Sequence, residues 1–149
     1  MSEMPKSSFV YVTFIQTTVE KLWNALTTQD FMKEYWCGRN FAAEWKVGGA
    51  WTLTAADGTL LDTGEIVQLE PQRRIALTWR HERHPDATAE GYGQCVIELE
   101  PLSEAVKLSI SHSIEIANSR LIELVSGGWP LIVSNLKSLL ETGRIAYKA

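Results

Sequence analysis

The sequence of 149 residues contains few cysteines and no long hydrophobic run. Cys37 and Cys95 are too few to build a disulfide framework, and reduced thiols are typical of the cytoplasm. No apolar segment approaches the ~20 residues that span a bilayer. The first residues also lack the basic and then apolar pattern of a signal peptide. We therefore expect a cytoplasmic protein with no membrane insertion and no disulfide.

Positive charge is scarce as well. The formal net charge is −4, and 21% of the residues are charged. The nearest approach to a basic cluster is the segment 80–84, RHERH, which Glu82 interrupts. Because nucleic-acid backbones are bound by concentrated basic faces, we expect no nucleic-acid partner.

The sequence also lacks the common catalytic and metal-binding motifs. It contains neither a Gly-x-Ser-x-Gly nucleophile elbow nor a glycine-rich phosphate loop. His81 and His84 could be read as two metal ligands, but they lie in a proline-containing segment with no cysteine nearby. A solvated loop is the favoured interpretation, so we expect no metal and no cofactor. The same loop, from Arg80 to Gly93, could act as a flap.

The first 36 residues predict one strand and two short helices. Phe9–Gln16 is rich in β-branched and aromatic residues and carries apolar side chains on both faces. Thr17 or Thr18 can then cap a helix whose apolar residues recur at i, i+3, i+4 and i+7. A second helix is predicted over Gln29–Tyr35. The apolar outer face of the first strand suggests a covering second subunit, hence a homodimer.

From Asn40 to about Ile116 the hydrophobic period is two, which predicts strands. Asp57-Gly58 between two such segments is a strong hairpin signal. Later segments alternate apolar and polar residues: RRIALTWR (73–80), QCVIELEP (94–101) and AVKLSISHSIEI (105–116). Strands with one polar face predict an antiparallel sheet that is covered on one side.

The C-terminal segment supplies a helix to cover that sheet. A broad apolar stripe at helical spacing runs from Trp129 to Leu140. Pro130 would then lie in the first turn, where its missing N–H does little harm, and Gly127-Gly128 would let the chain swing across the sheet. Gly143 is placed to end the helix. The expected fold class is α+β, with two short helices after the first strand.

Four segments, taken in order along the chain, carry a family resemblance. They are VEKLWNALTTQDFMKEYW (19–36), KVGGAWTL (46–53), GEIVQLEPQRRIALTW (64–79) and GGWPLIVSNLKSLLETG (127–143). The pattern resembles the SRPBCC superfamily, with its START-like, birch-pollen-allergen-like helix-grip fold. It is most similar to the branch of activators of the heat-shock chaperone ATPase. The resemblance implies one domain over residues 1–149, with a curved antiparallel sheet wrapped around a long C-terminal helix and a cavity between them.

The resemblance leaves three functions open, because this fold hosts many activities. The leading hypothesis is a non-catalytic module that binds a small hydrophobic or aromatic molecule in the cavity. The second is a co-chaperone with a chaperone partner, although the Asn-Asn-Trp-His-Trp stretch of those activators is not in this sequence. The third is a cyclase or hydrolase that uses His112 on an aromatic or polyketide-like substrate.

The candidate site consists of residues expected on the inner face of the sheet and on the last helix. Val133 and Leu136 are expected to face a ligand most directly, and Cys95 to be an inert small hydrophobe. For Trp79 and Trp129, lining a cavity and filling the core are equally good interpretations. The full set is Trp36, Trp51, Leu53, Leu77, Trp79, Cys95, Ile97, Ile110, His112, Trp129, Val133 and Leu136.

His112 is the polar member of that set. It falls on the same face of the predicted strand as Leu108 and Ile110, so it should point inward among apolar neighbours. Its imidazole could bind the polar end of a ligand or transfer a proton. The alternative is a core histidine that is hydrogen-bonded to a backbone carbonyl or a hydroxyl. No acidic partner is evident in the sequence, which weakens the case for catalysis.

Overall fold

The computed structural model describes residues 6–148, which form seven strands and four helices. In chain order the elements are β1 (Ser7–Ile15), α1 (Val19–Thr27), α2 (Gln29–Tyr35), β2 (Asn40–Ala43), β3 (Ala50–Thr54), β4 (Leu60–Glu70), β5 (Arg74–His81), α3 (Pro85–Thr88), β6 (Gly93–Pro101), β7 (Val106–Ile114) and α4 (Arg120–Thr142).

The seven strands form one antiparallel sheet in the order β1-β7-β6-β5-β4-β3-β2. Burial alternates along β6 and β7, so the sheet has one inner face and one outer face. Helix α4 packs against β1 and β7, with Val133 and Leu136 in the core. The predicted α+β helix-grip architecture, with a curved sheet covered on one side, is confirmed.

The Asp57-Gly58 turn joins β3 to β4, as predicted. Asp57 Oδ1 accepts hydrogen bonds from the hydroxyl and the backbone N–H of Thr59, at 2.7 and 2.9 Å. Hydrogen bonds from Thr59 hold the pKa of this carboxyl below its usual value. Gly58 has a φ of +89°, a left-handed conformation that favours glycine. Local hydrogen bonding and backbone freedom therefore make this hairpin.

Helix α1 begins directly after Thr18, one of the two candidate caps, and α2 begins at Gln29 as predicted. Thr18 caps α1 by accepting a hydrogen bond from a backbone N–H three residues later, at 3.2 Å. Thr28 occupies the N-cap position of α2, but its hydroxyl donates to Asn24 Oδ1 at 2.9 Å instead of capping the helix. The Tyr35 hydroxyl donates to the Ala25 carbonyl at 2.8 Å and thereby joins α2 to α1.

Helix α4 begins at Arg120, well before the expected start. The prediction that Gly127-Gly128 precede the helix, with Pro130 in its first turn, is wrong. Glycine and proline inside a helix are unfavourable by about 1 and 3 kcal/mol respectively. Burial of apolar side chains in the added segment, about two and a half turns long, offsets much of that cost. The residues it buries are Leu121, Ile122 and Val125.

The N-terminus of α4 is fixed by polar contacts to the loop between β5 and β6. Ser119 accepts a hydrogen bond from the Ile122 N–H and is itself hydrogen-bonded to the Glu90 carboxylate, at 2.6 Å. Glu90 also accepts the Arg120 N–H, at 2.6 Å. A carboxylate at this position complements the helix dipole. At the other end, Gly143 terminates the helix with a φ of +83°, as predicted.

Strand β1 forms one edge of the sheet, and three of its four outward side chains are apolar, the fourth being Ser8. Val10, Val12 and Phe14 are 64%, 44% and 53% exposed. Within residues 6–148, no helix has the length and apolar character needed to cross a membrane.

Candidate ligand-binding cavity

A cavity of about 260 Å³ lies between the sheet and α4. It is larger than the roughly 150 Å³ that admits benzene in an engineered core, so it has room for one or two aromatic rings. Its lining residues are Trp36, Arg39, Leu53, Leu61, Asp62, Trp79, His81, Arg83, His84, Leu124, Val125, Gly128, Trp129 and Ile132.

Tryptophan rings form much of the apolar wall. Trp129 of α4 lies edge-on to Trp36, with ring centroids 5.3 Å apart, and 5.8 Å from Trp79 of β5. Trp51 packs behind Trp79 at 4.3 Å, and its indole N–H donates to the Thr78 carbonyl at 3.0 Å. Aromatic rings packed in this way form a stiff surface suited to a flat apolar molecule.

Helix α4 contributes one face to the cavity, and Gly128 lies in that face. Apart from its two chain neighbours and the nearby backbone of its own helix, a Cβ added at Gly128 would meet no atom of the described residues within 4 Å. Close packing therefore does not explain this helix-interior glycine, which lines the cavity. Gly127 also has open space, on the exposed side of the helix, and the structure gives no reason for it.

The polar side of the cavity is built around Asp62 of β4. Asp62 Oδ1 accepts hydrogen bonds from Trp79 Nε1 and His81 Nδ1, both at 3.0 Å. Burial raises the pKa of this carboxyl, although His81, Trp79 and the charge of Arg39 act in the opposite direction. The strand register places Asp62 directly opposite His81, so the two side chains meet on one face.

The two histidines of the segment 80–84 both line this cavity, and the solvated-loop interpretation is wrong for His81, whereas His84 does lie in the loop. His81 lies at the end of β5, with a side chain only 13% exposed. Its ring stacks on that of His84, with centroids 5.0 Å apart. Arg39 and Arg83 reach the cavity from exposed positions. The loop suggested as a flap contributes Arg83 and His84 to the cavity lining, and Glu90 ties it to α4; the flap role itself stays a prediction.

His112 is buried in the core next to the cavity wall. Its Nε2 accepts a hydrogen bond from Trp129 Nε1 at 2.6 Å, so its partner is an indole and not the expected carbonyl or hydroxyl. Within residues 6–148, Nδ1 has no hydrogen-bond partner. Burial lowers the pKa of His112 to about 3. His112 is therefore neutral at pH 7 and holds the Trp129 ring in place.

The structure divides the predicted site residues into three groups. Those that line the cavity are Trp36, Leu53, Trp79 and Trp129. Leu77 and Ile97 line a void of about 20 Å³ behind it, which has room for about one water molecule. The rest are buried in the core: Trp51, Cys95, Ile110, His112, Val133 and Leu136.

Cys95 is buried in the core and does not line the cavity. Burial raises the pKa of the Cys95 thiol, which is consistent with the expected inert role. Among residues 6–148, no group of three or more histidine, cysteine, aspartate or glutamate side chains is arranged to hold a metal ion.

A sequence model of one family matches most of the chain. The family is described as Activator of Hsp90 ATPase homolog 1-like protein, and the match covers residues 16–141. The chain belongs to this family. A comparison with curated proteins finds no match.

Several solved structures have the same fold as this chain. Protein MLL2253 from Mesorhizobium loti is 24% identical with a TM-score of 0.77, over 91% of this chain and 97% of that one. The Aha1 dimer from Colwellia psychrerythraea is 20% identical with a TM-score of 0.73, over 92% and 98%. PFC0360w, an HSP90 activator from Plasmodium falciparum, is 22% identical with a TM-score of 0.72, over 90% and 96%.

Proposed function

We propose that this protein binds a small apolar ligand of one or two aromatic rings in the cavity between the sheet and α4. The observation that carries the proposal is the cavity itself, which has a volume of about 260 Å³ and three tryptophans in its lining. Ligand sites are typically apolar clefts with a few polar groups, and this cavity has both parts.

The absence of a side chain at Gly128 also supports a ligand. A residue that breaks a local rule without a packing reason is expected mainly at functional positions. Gly128 weakens helix α4 and leaves the cavity open at the point where a larger residue would fill it.

A thermal-shift experiment with naphthalene tests the proposal. Naphthalene has two fused rings and no polar group, so its binding depends on the apolar wall of the cavity alone. A ligand that binds the folded state at 100 times its dissociation constant stabilises it by about 2.7 kcal/mol. We expect a melting temperature that rises with naphthalene concentration. No change at saturating naphthalene would contradict the proposal.

A second proposal concerns assembly. We propose that the outer face of β1 packs against a second copy of the chain, because three exposed apolar side chains line up there: Val10, Val12 and Phe14. The structurally similar Aha1 from Colwellia psychrerythraea was solved as a dimer. Sedimentation velocity should show a dimer for the wild type and a monomer for Val12→Glu. A monomeric wild type at high concentration would contradict this.

A chaperone partner is the alternative raised by the family description and by the HSP90 activator among the similar structures. An ATPase assay with a purified heat-shock chaperone separates the two functions. If the cavity function is the relevant one, the chaperone's ATPase rate stays unchanged when this protein is added.

A further inference from the structure

Asp62 and His81 form a carboxylate–imidazole pair inside the proposed ligand cavity. The pair is well enclosed, since the His81 and Asp62 side chains are 13% and 11% exposed. The carboxylate receives a second hydrogen bond from the Trp79 indole through the same oxygen, Oδ1. Three side chains from two neighbouring strands therefore hold one another in fixed positions.

The contact between Asp62 and His81 determines which imidazole nitrogen is available. Because the carboxylate accepts a hydrogen bond from Nδ1, the neutral ring carries its hydrogen on Nδ1 and has a lone pair on Nε2. Nε2 is buried and has no hydrogen-bond partner among residues 6–148. Since His81 lines the cavity and buried polar atoms are normally hydrogen-bonded, a molecule in the cavity is the natural partner.

The unpaired acceptor, Nε2 of His81, indicates the chemistry of that molecule. A lone pair requires a donor, which a phenolic hydroxyl provides and an ionised carboxylate does not. The charged side chains around the cavity also favour a polar oxygen on the ligand. Arg39 and Arg83, which also line the cavity, would stabilise negative charge on the ligand oxygen.

We propose that the cavity selects aromatic ligands that carry a hydroxyl group, whose O–H donates to Nε2 of His81 while Asp62 positions the ring. This rests on the proposed function. His81 is the contacting residue, and Asp62 is the positioning residue.

Calorimetry with two matched ligands tests the proposal. Naphthalene and 2-naphthol differ by one hydroxyl group, and the protein is titrated into each because naphthalene is sparingly soluble. One hydrogen bond is worth roughly 0.5–1.5 kcal/mol, so 2-naphthol should bind about 2- to 10-fold more tightly. His81→Asn keeps a donor near Asp62 but removes the atom equivalent to Nε2. We expect this variant to lose the preference for 2-naphthol.

Asp86→Asn is the control, because this exposed residue lies in the same loop but outside the cavity lining, and it should keep the preference. If naphthalene binds and His81→Asn retains the 2-naphthol preference, the hydroxyl proposal is overturned and the cavity proposal stands. If neither molecule binds the wild type, both proposals are overturned.

The positioning role of Asp62 has its own readout. In the wild type, the imidazole ¹⁵N chemical shifts of His81 should show the tautomer with hydrogen on Nδ1. In Asp62→Leu, no acceptor faces Nδ1, so the hydrogen is no longer held there and the 2-naphthol preference falls. An unchanged tautomer together with an unchanged preference would refute this role.

Discussion

Replacing His112 by glutamine should make the protein less sensitive to mild acid. Glutamine Oε1 can take the place of Nε2 as acceptor for the Trp129 indole, but it does not titrate. The pKa of His112 is lowered by burial from 6.5 to about 3. Between these two values the unfolded chain binds a proton that the folded protein does not. The wild type must therefore lose stability as the pH falls below 6.5.

The size of the effect follows from that shift. Between pH 6.5 and pH 3, each pH unit lowers the free energy of unfolding by about 1.4 kcal/mol. From pH 7 to pH 5 the free energy of unfolding of the wild type should therefore fall by about 2 kcal/mol through His112. Urea unfolding monitored by tryptophan fluorescence measures this at both pH values. Other titrating groups contribute equally to both proteins, and the difference between them isolates His112. Equal losses in the wild type and His112→Gln would refute the reasoning.

Three other predictions concern stability and thiol chemistry. Glu90→Gln should lower the free energy of unfolding by about 1–2 kcal/mol, because the charge at the start of α4 is lost; an unchanged urea midpoint would contradict the capping role. Gly64→Ala should cost about 3 kcal/mol, since its Cβ would lie 1.8 Å from a backbone oxygen of β5. Gly128→Ala, with open space, is its control and should gain about 0.5–1 kcal/mol in the same urea experiment. A thiol reagent should modify Cys37 in the native protein and Cys95 only after unfolding; rapid labelling of both would refute the burial argument.

The strands and the short helices could be predicted because their signals are local. Period-two alternation from Cys95 onward, the Asp57-Gly58 turn and the Thr18 cap each act within a few residues. The start of α4 could not be found in this way. Gly127, Gly128 and Pro130 disfavour a helix locally, and only packing against the sheet outweighs them.

The polar side of the cavity was missed for a different reason. At the turn between β4 and β5, Glu70 pairs with Arg74. If the pairing continued from there without a bulge, Asp62 would lie opposite Glu82. A register shift between Ile66 and Gln68 moves the pairing by one residue and places Asp62 opposite His81 instead. Bulges depend on the whole sheet, so this pair could not be read from the sequence. The apolar wall was partly predictable, because inward-facing tryptophans follow the strand alternation.

The central claim is that a small aromatic molecule occupies the cavity beside Gly128. Calorimetric titration of naphthalene against Gly128→Leu tests it most directly, because the new side chain extends into open space on the cavity face. Gly127→Leu is the matched control, one residue away and exposed. The account predicts that the wild type and Gly127→Leu bind naphthalene, with affinity lost at least tenfold in Gly128→Leu. Equal binding by all three proteins, or by none, would contradict it.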